Sequence, residues 1–232
     1  MKFVVKKFKF FSLVFCSLFF LSFCADDTVK NSENPEVIYN SVVEYIDKGR
    51  YLEAGELINE IRTRFPQSRF SAMAELKQAD MLFAQDLFTE AAAAYGVFAD
   101  LYPTHQSAPY ALFQKALSFY NDAPEEIARD QSPAHDAVNN ALFLIQKFPA
   151  SEFVAKAKEL ERNARIKLAN KEAYVARFYE KRKAHLSALR RWEALKKDFA
   201  DIAGLPEGDK LLADAVGSID KLQKEVDSKQ KN

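Results

Sequence analysis

Glycine is scarce in this chain, six in 232 residues, and histidine scarcer, with three. So few glycines leave no glycine-rich loop to cradle a phosphate. His105, His135 and His185 stand far apart, without an acid or cysteine at metal-ligand spacing, so no metal site is expected. No serine sits in a nucleophile elbow. The chain is therefore read as a non-enzyme without a cofactor, an enzyme whose groups converge only in space being the third alternative. Both cysteines, Cys16 and Cys24, fall in the first 24 residues, which leaves no disulfide for the remainder. Basic and acidic side chains balance at 33 each, so there is no basic stripe of the kind nucleic acid requires.

The first 23 residues form a separate object. Lys2, Lys6, Lys7 and Lys9 precede an apolar run over 10–23, and the chain then turns polar at Asp26 and Asp27. This is the pattern of an export signal. Its 14 apolar-run residues fall short of the about 20 that span a bilayer as a helix. Without those four lysines the basic count drops to 29 against 33 acids, a formal charge of −4. Leu21-Ser22-Phe23-Cys24 resembles a lipobox, with Phe23 in place of the usual small residue, and a polar tether over 24–34 follows. Cys24 is thus the expected lipidation site; the alternative is ordinary cleavage after Cys24 with a soluble product.

What the chain has in abundance is repetition. Phe65-Pro66-Gln67-Ser68 returns as Tyr102-Pro103-Thr104-His105 and again as Phe148-Pro149-Ala150-Ser151. The first two copies are offset by 37 residues, which also superimposes Tyr39 on Leu76, Tyr51 on Phe88, Ala54 on Ala91 and Ile61 on Phe98. Apolar residues at spacings of three and four flank breaks at Lys48-Gly49-Arg50 and Gln85-Asp86-Leu87, which predicts two helices joined by a short turn. Alanine at 54, 91, 137 and 188 lets paired helices approach closely. Proline closes each unit, and Ser68 or Ser151 is placed to cap the next helix. His105, in the same place, is expected to cap or to pack.

Later units carry insertions. The third lengthens by nine residues within 121–133, where Pro124, Pro133 and several turn formers predict a loop, ordered or mobile. The fourth lengthens within 151–181, a stretch free of proline and glycine that predicts a long helix. A last segment, about 207–226, reads as a truncated fifth pair or a capping helix.

These features resemble the tetratricopeptide repeat, whose turn glycine, small residue and terminal proline fall on Gly49, Ala54 and Pro66. The resemblance implies an all-α superhelix of four to five helical hairpins, with amino-terminal repeats over 35–106, carboxy-terminal repeats over 107–226 and a polar tail at 227–232. In such arrays the fifth and twelfth positions of each first helix tend to face the concave side. Here those positions hold Tyr39, Leu76 and Phe113, and Ile46, Phe83 and Tyr120, all apolar or aromatic. Either they complete the core between repeats or they line a groove for an extended apolar peptide. Tyr95, Phe98 and Trp192, on second helices, are expected in the core.

In the second half the likeness becomes more specific. Tyr110-Ala111, Arg129-Asp130-Gln131, Phe153, Leu168-Ala169-x-x-Glu172, Val175-Ala176-Arg177-Phe178-Tyr179, Arg182 and Ala188-x-x-Arg191 recur in that order in the BamD family, the tetratricopeptide lipoproteins of the outer-membrane β-barrel assembly machinery. The resemblance covers about 35–201. It implies an adaptor lipid-anchored at the periplasmic face of the outer membrane. Its implied partners are the periplasmic domains of the barrel insertase, unfolded barrel proteins and further assembly lipoproteins. The family's important arginine falls on Arg191, and its amino-terminal repeats are associated with the aromatic terminal strand of substrates. Arg190 and Arg191 as a solvated basic edge beside Glu193 is the alternative for that site. A general periplasmic scaffold for envelope or cell-wall complexes is the alternative for the whole chain.

Overall fold

The computed structural model describes residues 32–230, and among them every regular element is helical. In chain order these are α1 (Pro35–Asp47), α2 (Tyr51–Arg64), α3 (Arg69–Ala84), α4 (Phe88–Leu101), α5 (Ala108–Asp122), α6 (Ser132–Lys147), α7 (Val154–Lys181), α8 (His185–Asp198), a 3-10 turn (Ala200–Ile202) and α9 (Pro206–Gln230). The chain is all-α, of tetratricopeptide type, and within each unit successive helices pack on one another. Two compact units divide it between Met81 and Leu82.

In the first unit, Asn34 starts α1 by accepting the Glu36 amide on its side-chain oxygen at 2.9 Å, while Pro35 occupies a position whose N–H has no helical partner anyway. The helix ends at Gly49, whose φ of +70° allows the Arg50 amide to reach back to the Tyr45 carbonyl at 2.8 Å. Ile38, Val42, Ala54, Ile58, Ile61 and Phe70 then form one core from α1, α2 and the start of α3. Arg62 reaches Glu75, which is almost fully buried, at 3.0 Å. A buried carboxylate of this kind needs such a partner.

The second unit repeats the same turn without glycine. Asp86, one repeat of 37 residues after Gly49, has φ +58°, and the Leu87 amide reaches the Leu82 carbonyl at 3.1 Å. Between α7 and α8, Lys183 also has φ +58°, with the Ala184 amide on the Tyr179 carbonyl at 3.0 Å. The hydrogen bonds that close the helix thus hold two L-residues in a conformation that costs them about 1 kcal/mol.

The unit-closing phrase has one geometry throughout. Phe65, Tyr102 and Phe148 each donate to the carbonyl four residues back, and Ser68, His105 and Ser151 each donate to the carbonyl three residues back. Ser68 and Ser151 accept the amide two residues on, at 3.2 Å in both cases. His105 does the same through Nδ1 at 3.1 Å and packs its edge on Phe98, so it both caps and packs. Phe199 keeps the pattern, with Ala200 beginning a 3-10 turn where the other units have proline.

Two departures shape the second unit. The expected loop is trimmed at both ends, because α5 runs to Asp122 and α6 begins at Ser132. As predicted, the fourth insertion lies within a long helix: α7 has 28 residues, about 42 Å. The terminal segment is one helix, and α9 lays Leu211, Ala215 and Leu222 on the core made by α7 and α8. It starts against the 3-10 turn, where a Cβ on Gly208 would lie 2.2 Å from the Ile202 carbonyl oxygen. Asp214 pairs with Arg177 at 3.0 Å, and Glu225 with His185, fastening α9 along its length. Tyr95, Phe98 and Trp192 are fully buried, in keeping with a core role.

Candidate partner-binding site

The loop over 123–131 is held from α7. Lys171 donates from its ammonium to the carbonyls of Ile127, Ala128 and Arg129 at 3.0, 2.9 and 3.1 Å. One turn earlier, Lys167 reaches the Glu125 carboxylate at 3.1 Å and lies 4.5 Å from the centre of the Tyr120 ring. Gln131, buried to 5 % exposure, donates to the carbonyls of Pro124 and Glu126 at 3.1 and 3.4 Å. A loop carbonyl without water needs a donor, and here three side chains supply them. The loop that the sequence predicts is thus tied to α7 and to Gln131 by side-chain hydrogen bonds.

With the loop so fixed, α6, α7 and α8 leave a cleft of about 670 Å³ beside it, lined among others by Asp130, His135, Lys171, Glu172, Arg191 and Phe199. Three strong cations border it, Arg165, Lys171 and Arg191. Lys171 is committed to the loop. Arg165 is committed to the end of α8, donating to the Asp198 carbonyl and to Asp201 at 2.7 Å, with its guanidinium against the Phe199 ring. Arg191 is different: its Nη1 makes a single bond to Glu172 at 3.1 Å, and its Nε and Nη2 have no partner among the described residues. Of the two arginines it makes the fewer hydrogen bonds and is the more exposed, 47 % against 22 % for Arg165. Adjacent Arg190 is exposed and makes no ion pair among the described residues.

The apolar first-helix positions are all partly buried, neither sealed in the core nor free. In the first unit, Tyr39 and Ile46 lean on the core, and Tyr39 meets Phe70 with ring centres 5.7 Å apart. Burial, helped by the Asp80 carboxylate, raises the pKa of the Tyr39 hydroxyl. Leu76, on α3, is likewise half-buried. In the second unit, Phe83 meets Phe88 edge-on at 5.3 Å, Phe113 stacks on Phe153 at 5.6 Å and Tyr120 flanks the core below the loop. Each ring thus both packs and keeps some surface. Cys24 and the export segment lie outside the described residues.

Over residues 31–229 the chain matches the family described as YfiO, outer membrane lipoprotein. The chain belongs to that family. Relatives named outer membrane protein assembly factor BamD include one from Rickettsia prowazekii, 30 % identical over 67 % of this chain and 62 % of its own length. The one from Caulobacter vibrioides is 26 % identical over 78 % of this chain and 59 % of its own length, and that from Neisseria gonorrhoeae 26 % over 88 % and 80 %. The chain therefore spans less than two thirds of the first two of these relatives. No described helix is long and apolar enough to cross a membrane. The described residues also contain no group of three or more His, Cys, Asp or Glu placed to hold a metal ion.

Glu172 and Gln131 stand within the motifs quoted above but carry no sign of a role in the sequence, and Lys171 carries none either. The role of each depends on contacts 5 to 44 residues away along the chain. Lys171→Met keeps the aliphatic stem and removes the ammonium, stranding three carbonyls. It is expected to destabilise the protein by about 2 kcal/mol and to speed amide hydrogen exchange over 123–131; unchanged exchange there would show the lysine to be dispensable.

Proposed function

We propose that the protein is a lipid-anchored adaptor of outer-membrane β-barrel assembly, facing the periplasm, that binds the barrel insertase and unfolded barrel proteins and promotes their folding and insertion. It works by binding and catalyses no reaction. The observation that carries this reading is membership of the outer-membrane lipoprotein family over nearly the whole described chain, with Arg191 standing in the cleft as a cation with free donors. The names of the relatives, assembly factors every one quoted above, support the same process.

A guanidinium is suited to the task. Its planar, permanently charged fork holds a carboxylate through two hydrogen bonds, and a partner that covers the cleft would remove the water that weakens such a pair. Arg191→Glu is therefore expected to abolish co-purification of the insertase from detergent extract, with circular dichroism and melting temperature near wild type. Arg190→Glu, which breaks no ion pair among the described residues, should leave it. Equal loss from both variants would mean a diffuse electrostatic edge instead.

Substrate capture falls, in this reading, to the half-exposed apolar first-helix positions: Tyr39, Ile46 and Leu76 in the first unit, Phe83, Phe113 and Tyr120 in the second. An extended aromatic peptide gains affinity from ring contacts that do not depend on its full sequence. Changing Phe83 and Phe113 together to serine should weaken binding of a barrel's terminal peptide, read by fluorescence anisotropy, with helical content retained. Loss of the helical signal would instead assign both rings to the core.

Anchoring is assigned to Cys24. A cysteine carrying three acyl chains holds firmly, since each buried CH₂ contributes about 0.8 kcal/mol. Cys24→Ala should lose labelling by a clickable fatty acid and leave the membrane fraction, and label persisting in that variant would refute the assignment.

A further inference from the structure

Glu172 and Arg191 lie on adjacent helices, 19 residues apart in sequence, and are joined by a single hydrogen bond of 3.1 Å from Nη1. The Arg191 side chain is 47 % exposed and that of Glu172 28 %. On either side of Glu172 the chain is fixed: Lys171 is tied to three loop carbonyls, and Ala173 is fully buried. Arg191 likewise adjoins Trp192, which is buried and donates its indole N–H to Glu180. Two anchored backbones therefore meet through one flexible arginine and one short carboxylate.

We infer that Glu172 is a positioning residue for partner binding: it holds Arg191 by one nitrogen and leaves the Nε/Nη2 edge of the guanidinium free for a carboxylate of the partner. The inference rests on the reading of Arg191 as an insertase contact. A free arginine loses much rotamer freedom on binding, and an internal hydrogen bond that already restricts it lowers that loss. The geometry distinguishes this from simple competition. A competing carboxylate would occupy the fork with two bonds, whereas Glu172 uses one of five N–H donors and leaves a complete edge. Its negative charge works against an acidic partner, so hydrogen-bond acceptance, not charge, is the useful property.

That separation of acceptor from charge gives the test. Binding of the full chain to purified periplasmic domains of the same organism's barrel insertase is measured for wild type, Glu172→Gln, Glu172→Ala, Arg191→Ala, Arg191→Glu and the Glu172→Ala/Arg191→Ala pair. Glu172→Ala should weaken binding about fivefold. Glu172→Gln keeps an acceptor oxygen and should bind at least as tightly as wild type. In the Arg191→Ala background, Glu172→Ala should have no further effect, which a merely structural role for Glu172 would not produce. Tighter or unchanged binding by Glu172→Ala, or an equal loss with and without Arg191, would overturn the positioning role. Undiminished binding by Arg191→Glu would instead overturn the reading beneath it, so the two failures are distinguishable.

Discussion

Close contact between helix backbones is the constraint on which the rest of this structure depends. Ala54, Ala91, Ala137 and Ala188 each stand on a second helix, and none has any exposed surface. Helices that pack through a methyl group sit near the short end of the usual 8–10 Å separation, so larger residues on either side of the alanine interdigitate around it. Around Ala54 those residues are Leu57, Ile58 and Ile61; around Ala188 they are Leu189, Trp192 and Leu195. A hairpin closed this tightly still has an apolar face left over, and the next helix covers it. Where the second unit runs out of hairpins, α9 performs that covering with Leu211, Ala215 and Leu222.

The parts of the fold that depend on local pattern were readable in the sequence. Helices, their caps, the closing Phe-Pro phrase and the long fourth insertion follow from spacing and from residue types whose preferences act within a few positions. The left-handed turns were only half legible. Gly49 marks the conformation openly, but Asp86 and Lys183 adopt it because the closing hydrogen bonds and the packing of the two helices outweigh their intrinsic reluctance. Likewise, nothing local says that 123–131 is ordered. Its order comes from two lysines on α7 and one glutamine, and the lysine that does most stands 42 to 44 residues from the carbonyls it meets.

The candidate site shows the same division. Arg191 is distinguished from Arg190 in the sequence by resemblance alone, since both are arginines on one helix and residue type says nothing of which faces a partner. Separation comes from tertiary placement: one meets Glu172 across the hairpin and borders a cleft, and the other is exposed without an ion pair among the described residues. The half-exposed rings were ambiguous for a related reason. A period of three and four residues tells which side of a helix is apolar, but how much of each ring its neighbours cover is decided by contacts such as Phe113 on Phe153.

Internal contacts draw several charged side chains of the second unit away from partners. Lys167, Lys171, Arg165 and Arg177 all serve contacts within the second unit, and Glu180 is bound to the Trp192 indole. Each such contact fixes a loop, a helix end or the closing helix, and each removes one cation or acid from the surface available to a partner. An exposed arginine in solution loses freedom when it binds, while one fully saturated by internal bonds has nothing left to offer. Arg191 lies between these limits. It is held at one nitrogen and open at the others, on a helix clamped by the buried Trp192. The rigid packing set by the alanines is what makes that intermediate state possible, because only fixed helices can hold Glu172 close enough to restrain the arginine without enclosing it.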